Sequence, residues 1–238
     1  MIEADPWLAA ILERDVFRVL TPDEGVAPEV LAGHEQGRPG AFYFAKVEAA
    51  RTRAVESLES AGYRVVDANV TFGAAAPPPV PGASDVELVD ASAVDPDAII
   101  DVAGGCFRYS RFHLDPRFPR ELADRVKREW VRNYLRGVRG DRLFVAVAEG
   151  RPAGFLAALT TGPAGAPVAV IDLVGVDPGF QRRGIGRALV QGFLAHYGSR
   201  CEAYRVGTQV ANAPSIRLYQ SLGFGFEHCH YVLHRHVP

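Results

Sequence analysis

The residues with the clearest chemical capacity lie between Val174 and Leu189, in Val174-Gly-Val-Asp-Pro-Gly-Phe-Gln-Arg-Arg-Gly-Ile-Gly-Arg-Ala-Leu189. An apolar strand ending on Val174–Val176 runs into an Asp-Pro turn, and Gly184 and Gly186 then open a helix. The first N–H groups of such a helix have no internal partner and converge on one point, which the helix dipole makes electropositive. The glycines let a diphosphate approach the backbone. Arg182, Arg183 and Arg187 add positive charge beside Gln181 and Ile185, so the segment is suited to holding a pyrophosphate.

A dinucleotide site would place G-x-G-x-x-G directly after the strand, and a P-loop would read G-x-x-x-x-G-K-[ST]. Instead, Gln181-Arg-Arg-Gly-Ile-Gly186 has the form Q/R-x-x-G-x-G/A. This resembles the acyl-CoA pyrophosphate loop of the GNAT N-acyltransferases. A second constellation, Asn212 to Phe224, follows N-x-x-[SA]-x-x-x-Y-x-x-x-G-F and also resembles that family. The resemblance implies acetyl-CoA as co-substrate, with residues 174, 176, 181–187 and Asn212 on the cofactor. It implies that Tyr219 points at the thioester sulfur. A phenol there can protonate a departing thiolate as general acid. Periodicity alone would make Tyr219 a packing residue of an amphipathic helix.

The acceptor side is read from Arg108-Tyr-Ser-Arg-Phe-His-Leu-Asp-Pro-Arg-Phe-Pro119, where Arg108, Tyr109, Arg111, Phe112 and His113 mix charge with aromatic surface. Arg125, Arg128, Arg132 and Arg136 then recur at helical spacing, a pattern usual for a solvated face. From Arg108 to Arg142 there are eleven Lys and Arg against five Asp and Glu, near +6 in a protein of formal charge -2. Such an excess suits an anionic acceptor. Ser110-Arg-Phe, Asp115-Pro-Arg and the W-x-x-N-Y-x-R-G run at Trp130–Gly137 are similar to dTDP-fucosamine N-acetyltransferases. That similarity implies the amine of a nucleotide-linked amino sugar as acceptor. Other amines (a protein N-terminus, an antibiotic, a polyamine) and a non-catalytic acyl-CoA-binding module stand as alternatives.

The acceptor amine must lose a proton. Asp172, before the loop, and Asp67, on an earlier strand, are the candidate bases, and a water relay could serve instead. His228, His230, His234 and His236 share parity on the last strand. Their spacing matches no common zinc site and Cys229 faces away, so an exposed or substrate-facing strand is expected and no catalytic metal.

The 238 residues are 48% hydrophobic and 23% charged, as in soluble globular proteins. The balanced charge predicts no nucleic-acid partner, and no stretch predicts a membrane span. Three scattered cysteines and an acidic start without a signal-peptide layout predict a cytoplasmic location. A homodimer is left open.

The elements that must position these residues fall into an expected small β-β-α-β piece at 1–72, a Pro/Ala-rich linker at 73–83 and a catalytic region at 84–238. In the first piece, Val16–Leu20, Ala41–Lys46 and Tyr63–Phe72 read as strands and Val47–Ala61 as a helix, with a turn-rich loop at Gly33–Gly40. From residue 85 the order reads β-α-α-β-β-β-α-β-α-β-β. The predicted fold class is α/β: an acetyltransferase-like mixed sheet flanked by helices.

Overall fold

The computed structural model describes residues 1–21, 25–75, 86–163, 165–198 and 200–238. Its strands are β1 (Ile2–Ala4), β2 (Val16–Val19), β3 (Phe42–Glu48), β4 (Arg64–Ala74), β5 (Glu87–Asp90), β6 (Arg142–Ala148), β7 (Arg151–Thr161), β8 (Val168–Val176), β9 (Ala203–Gln209) and β10 (Gly225–His236). They form one mixed sheet in the order β1-β2-β3-β10-β4-β9-β8-β7-β6-β5. The pairs β2–β3 and β8–β9 are parallel, and the rest are antiparallel.

The helices are α1 (Pro6–Leu12), α2 (Pro28–Glu35), α3 (Thr52–Ser60), α4 (Pro96–Gly105), α5 (Arg111–Leu114), α6 (Arg120–Leu135), α7 (Ile185–Tyr197) and α8 (Ala213–Ser221). Alternate strand residues send their side chains to opposite faces. Phe42 and Phe44 of β3 and Leu143 and Val145 of β6 pack under α1, α4, α5 and α6. Tyr43, Ala45 and Val47 pack under α2 and α3, and Phe144 and Ala146 under α7. No helix among the described residues is long and apolar enough to cross a membrane.

The structure corrects several expectations. The strands of the expected N-terminal piece and of the catalytic region share one sheet, because β10 inserts between β3 and β4 while β4 borders β9. Of the expected linker at 73–83, Gly73 and Ala74 complete β4, and 76–83 lie outside the described residues. Four elements among the described residues were not expected from the sequence: β1, α1, α2, which runs into the loop expected at Gly33, and the short α5 within the acceptor loop. Proline occupies the first turn of both α1 and α2, and the Asp5 carboxylate caps α1 by accepting the Leu8 N–H at 2.9 Å. Val47 and Glu48 extend β3, so the helix expected from Val47 begins at Thr52. The last strand runs unbroken through a bulge at Glu227.

Candidate functional site

The site begins where two parallel strands part. β8 and β9 pair from Val168–Ala203 to Ile171–Val206 and no further, although β8 continues to Val176 and β9 to Gln209. Next to the fork, Asp172 is skipped in the pairing with β7, where Ala157 faces Leu173 and Ala158 faces Ile171. Bulges of this kind bend a strand and re-aim a side chain. The fork opens a cavity of about 910 Å³ lined from both faces of the sheet. Arg108–Phe112 and Lys127 approach from the α5/α6 side, and Ile185–Arg187 and Asn212–Tyr219 from the α7/α8 side.

The loop expected to hold an anion lies on the α7 side. Gly184 adopts φ +82°, which favours glycine, and no side chain caps the helix that follows. Its first N–H groups therefore stay open to a ligand. The Asp177 carboxylate takes the Gly179 N–H at 2.8 Å, and the Gln181 amide donates to the Val176 carbonyl at 3.2 Å, tying the loop to the strand end. Val174, Val176, Gln181, Arg182, Gly184, Ile185, Gly186, Arg187 and Asn212 all line the cavity. Arg187 also donates to the Ser221 hydroxyl at 2.8 Å. Arg183 is the exception: it pairs with Glu149 at 2.7 Å, lies over Phe180 at 5.0 Å and is turned out of the cavity. Asn212 caps α8 by accepting the Ser215 N–H at 3.4 Å and donates to Thr208 at 3.3 Å.

Tyr219 is buried between Phe72 and Phe224, with ring centroids 6.4 and 6.1 Å away, and also lines the cavity. Packing and lining are both true of it. Burial raises its phenol well above the usual range, and a hydrogen bond with Ser215 only partly offsets this. The group stays protonated at neutral pH and is available as a donor.

The two candidate bases part company. Asp172 accepts from Trp130 Nε1 at 2.8 Å, Tyr134 Oη at 2.8 Å, and Arg139 Nε and Nη2 at 2.7 and 2.8 Å. Burial pushes its carboxyl up, but these bonds outweigh burial and hold it below the usual range. A carboxylate so engaged resists protonation, and its bonds to Trp130 and Tyr134 fasten α6 against the bulge. Asp67 is the opposite case. Burial raises it to about 6 against the pull of the Ala68 N–H, Lys46, Gln209 and Arg111, and one oxygen has no hydrogen-bond partner among the described residues. It lines the cavity with Asn69, Gln209 and Lys46.

Of the acceptor-loop residues, Arg108, Tyr109, Arg111 and Phe112 line the cavity. His113 does not. It accepts from the Ser110 hydroxyl at 2.6 Å and donates to Asp124 at 2.9 Å, bracing the loop from within. The arginine stripe of α6 also stays outside, with Arg125 bonded to Glu13 at 2.8 Å.

The histidine strand differs from expectation as well. His234 is fully buried, so that part of β10 is neither exposed nor substrate-facing. Its Nδ1 and the Nε2 of His236 donate to the same Asp115 oxygen at 2.8 and 2.9 Å. The three ligand-type atoms lie within 4.8 Å of one another, a grouping that could hold a metal ion. Hydrogen bonds already occupy the group, however: Arg14 donates to His236 at 3.3 Å and Arg117 to Asp115 at 3.3 Å. Two guanidinium charges this close oppose a further cation. The cluster staples the acceptor loop to β10.

Sequence reasoning missed Lys46, Asn69, Lys127, Gln209 and Arg217, which line the cavity. Lys127 left a signal, because it falls on the apolar side of α6 with Ala123, Val131 and Tyr134.

Comparison with known proteins agrees with this geometry. The family model described as "Acetyltransferase (GNAT) family" matches residues 105–224. The spore coat polysaccharide biosynthesis protein SpsD of Bacillus subtilis is 32% identical over 141 residues, 59% of this chain and 47% of that protein. A mycothiol acetyltransferase of Thermobispora bispora is 42% identical over 59 residues, 24% of this chain and 20% of that protein. The chain thus spans less than half the length of these curated relatives. Among solved structures, a GCN5-related N-acetyltransferase from Sphaerobacter thermophilus shares the fold with a TM-score of 0.59 at 18% identity, over 87% of this chain and 64% of that one. The family match over half of the chain, with the shared fold, establishes that the chain belongs to the GNAT acetyltransferase family.

Proposed function

We propose that this protein transfers an acetyl group from acetyl-CoA directly to the primary amine of a small molecule, an amino sugar carried on a nucleotide. The observation that carries the proposal is one cavity, passing through the sheet at the β8/β9 fork, that is lined by both Tyr219 and Asp67. The uncapped α7 N-terminus takes the CoA pyrophosphate from one side. The acceptor enters from the α5/α6 side. Asp67, near pH 6, takes the proton of the incoming ammonium. The neutral amine attacks the thioester carbonyl. Beyond Ile171 the β8 backbone groups that face β9 have no strand partner, and an N–H there stabilises the oxyanion. The C–S bond then breaks as Tyr219 donates its proton to the leaving sulfur, and the proton that the attacking nitrogen must shed to become an amide restores the Tyr219 phenol through solvent.

The cationic acceptor side supports an anionic acceptor over a polyamine, and the partial match to SpsD, a protein named for polysaccharide biosynthesis, fits a sugar. The three cysteines are free, which accords with a cytoplasmic location. A panel of amines and nucleotide-linked amino sugars, read by release of free CoA thiol, tests the proposal. Turnover is expected with an amino-sugar nucleotide. Acetyl-CoA binding without turnover of any amine would favour a binding module.

A further inference from the structure

Lys127 is a lysine where an apolar residue would be expected. It sits on the buried side of α6, only 7% exposed, with its ammonium 4.8 Å from the Phe107 ring and 4.9 Å from the Trp130 ring. No hydrogen bond or ion pair engages it among the described residues. Asp172, the carboxylate whose charge it feels most, is taken up by Trp130, Tyr134 and Arg139. A buried ammonium left unpaired destabilises a fold unless something neutralises it.

Two further cations face the same space. Lys46 of β3 lines the cavity, likewise without an ion pair among the described residues. The Arg111 guanidinium carbon lies 3.9 and 4.5 Å from the Phe44 and Phe112 ring centroids, and its Nη1 has no hydrogen-bond partner among the described residues. Arg111 lowers the proton affinity of both lysines and Lys46 lowers that of Lys127, while loss of hydration is the larger cause that brings both lysines down to about 8, Lys127 enclosed and Lys46 open to the cavity. The cavity thus holds concentrated positive charge around Asp67, on the face opposite Arg182, Arg187 and the α7 N-terminus.

We propose that Lys127 and Lys46 form a subsite for an anionic group of the acceptor, a phosphate or carboxylate that arrives with the amine. The proposal rests on the acetyl-transfer reading of the cavity and adds the acceptor's charge to it. An anion there neutralises the lysines and offers each a charge-assisted hydrogen bond. The Phe107 and Trp130 rings, stacked on Lys127, fix where its ammonium points. The amine of the same molecule is left to Asp67. The subsite rejects polyamines by charge repulsion.

Calorimetry on the full chain saturated with desulfo-CoA, which fills the pyrophosphate loop, tests this. Inorganic pyrophosphate and acetate are titrated separately into wild type, Lys127→Met and Lys46→Met. Saturable binding of either probe, weakened roughly 10- to 100-fold in each variant, supports the subsite. Pyrophosphate alone points to the phosphates of a nucleotide link, and acetate alone to a carboxylate on the acceptor. Neither probe binding wild type, or binding unchanged in both variants, overturns it. Lys127→Met is expected to melt at the same or a higher temperature, since an uncompensated buried charge is removed. Should it fail to fold, Lys46→Met decides. Failure of the wider acetyl-transfer reading would show separately, as absence of acetyl-CoA binding by wild type.

Discussion

Lys46 of β3 and Asp67 of β4 stand on one face of the sheet, each directly across from Val232 of the strand between them. Their strands are not neighbours, and only the insertion of β10 sets the two charges at this spacing. Neither neutralises the other fully, because a strand's width separates them. One is left to hold an acceptor and the other to take its proton.

If Asp67 is the base, kcat/KM should rise as pH increases through about 6, where its carboxyl ionises. Asp67→Asn should lose this limb and about 100- to 10,000-fold of the rate above it. Its folded-state value lies above the ordinary 3.8, so ionising it costs stability as pH rises from 3.8 to about 6. Asp67→Asn should therefore match or exceed wild type in melting temperature at pH 7. Asp172→Asn should do the reverse, lowering the melting temperature while keeping the acid limb. A profile unchanged by Asp67→Asn would remove Asp67 from the mechanism.

Lys46 and Lys127 lose their charge near pH 8, so an anionic acceptor should be bound less well above that pH. The fall should appear in KM before kcat, and a neutral amine should show a shallower fall. Parallel KM profiles for anionic and neutral acceptors would contradict it.

Tyr219→Phe should keep acetyl-CoA affinity and cut kcat by about 100- to 10,000-fold, because the proton is delivered only as the thioester breaks. A near-normal kcat with a small shift in melting temperature would reduce Tyr219 to its packing against Phe72 and Phe224.

Gly184→Val probes the pyrophosphate loop. A Cβ there meets no atom within 4 Å, but φ +82° is strained for a β-branched residue. The fold should survive, and acetyl-CoA affinity measured by calorimetry should fall on the order of tenfold or more. Unchanged affinity would move the cofactor elsewhere.

The half of the candidate site proposed for the cofactor is readable in the sequence because it is local. Gln181 to Arg187 and Asn212 to Tyr219 are contiguous runs whose turn and cap chemistry can be read in order. Even there, Arg183 escaped, since Glu149, 34 residues away, turns it aside. The acceptor half is non-local. Asp172 could not be distinguished from Asp67 until Trp130, Tyr134 and Arg139 were seen to occupy it from 33 to 42 residues away. Lys46 alternates on β3 like any edge lysine, and only the placement of β10 makes it part of a site. The helix α2 was hidden by Gly33 and Gly37, which read as a loop although the first lies inside the helix. Lys127 was within reach, as a charge at an apolar position of an amphipathic helix.

The order of the sheet also bears on how the chain is made. β3 and β4 leave the ribosome early and side by side, yet they do not pair, and the gap between them is filled by residues 225–236. Until those residues emerge, β3 and β4 each present an unpaired edge in what becomes the middle of the molecule. Exposed edges of this kind invite pairing with other chains. A nascent protein stalled before Gly225 would be expected to engage chaperones and to aggregate, and release of the last dozen strand residues would close both edges at once.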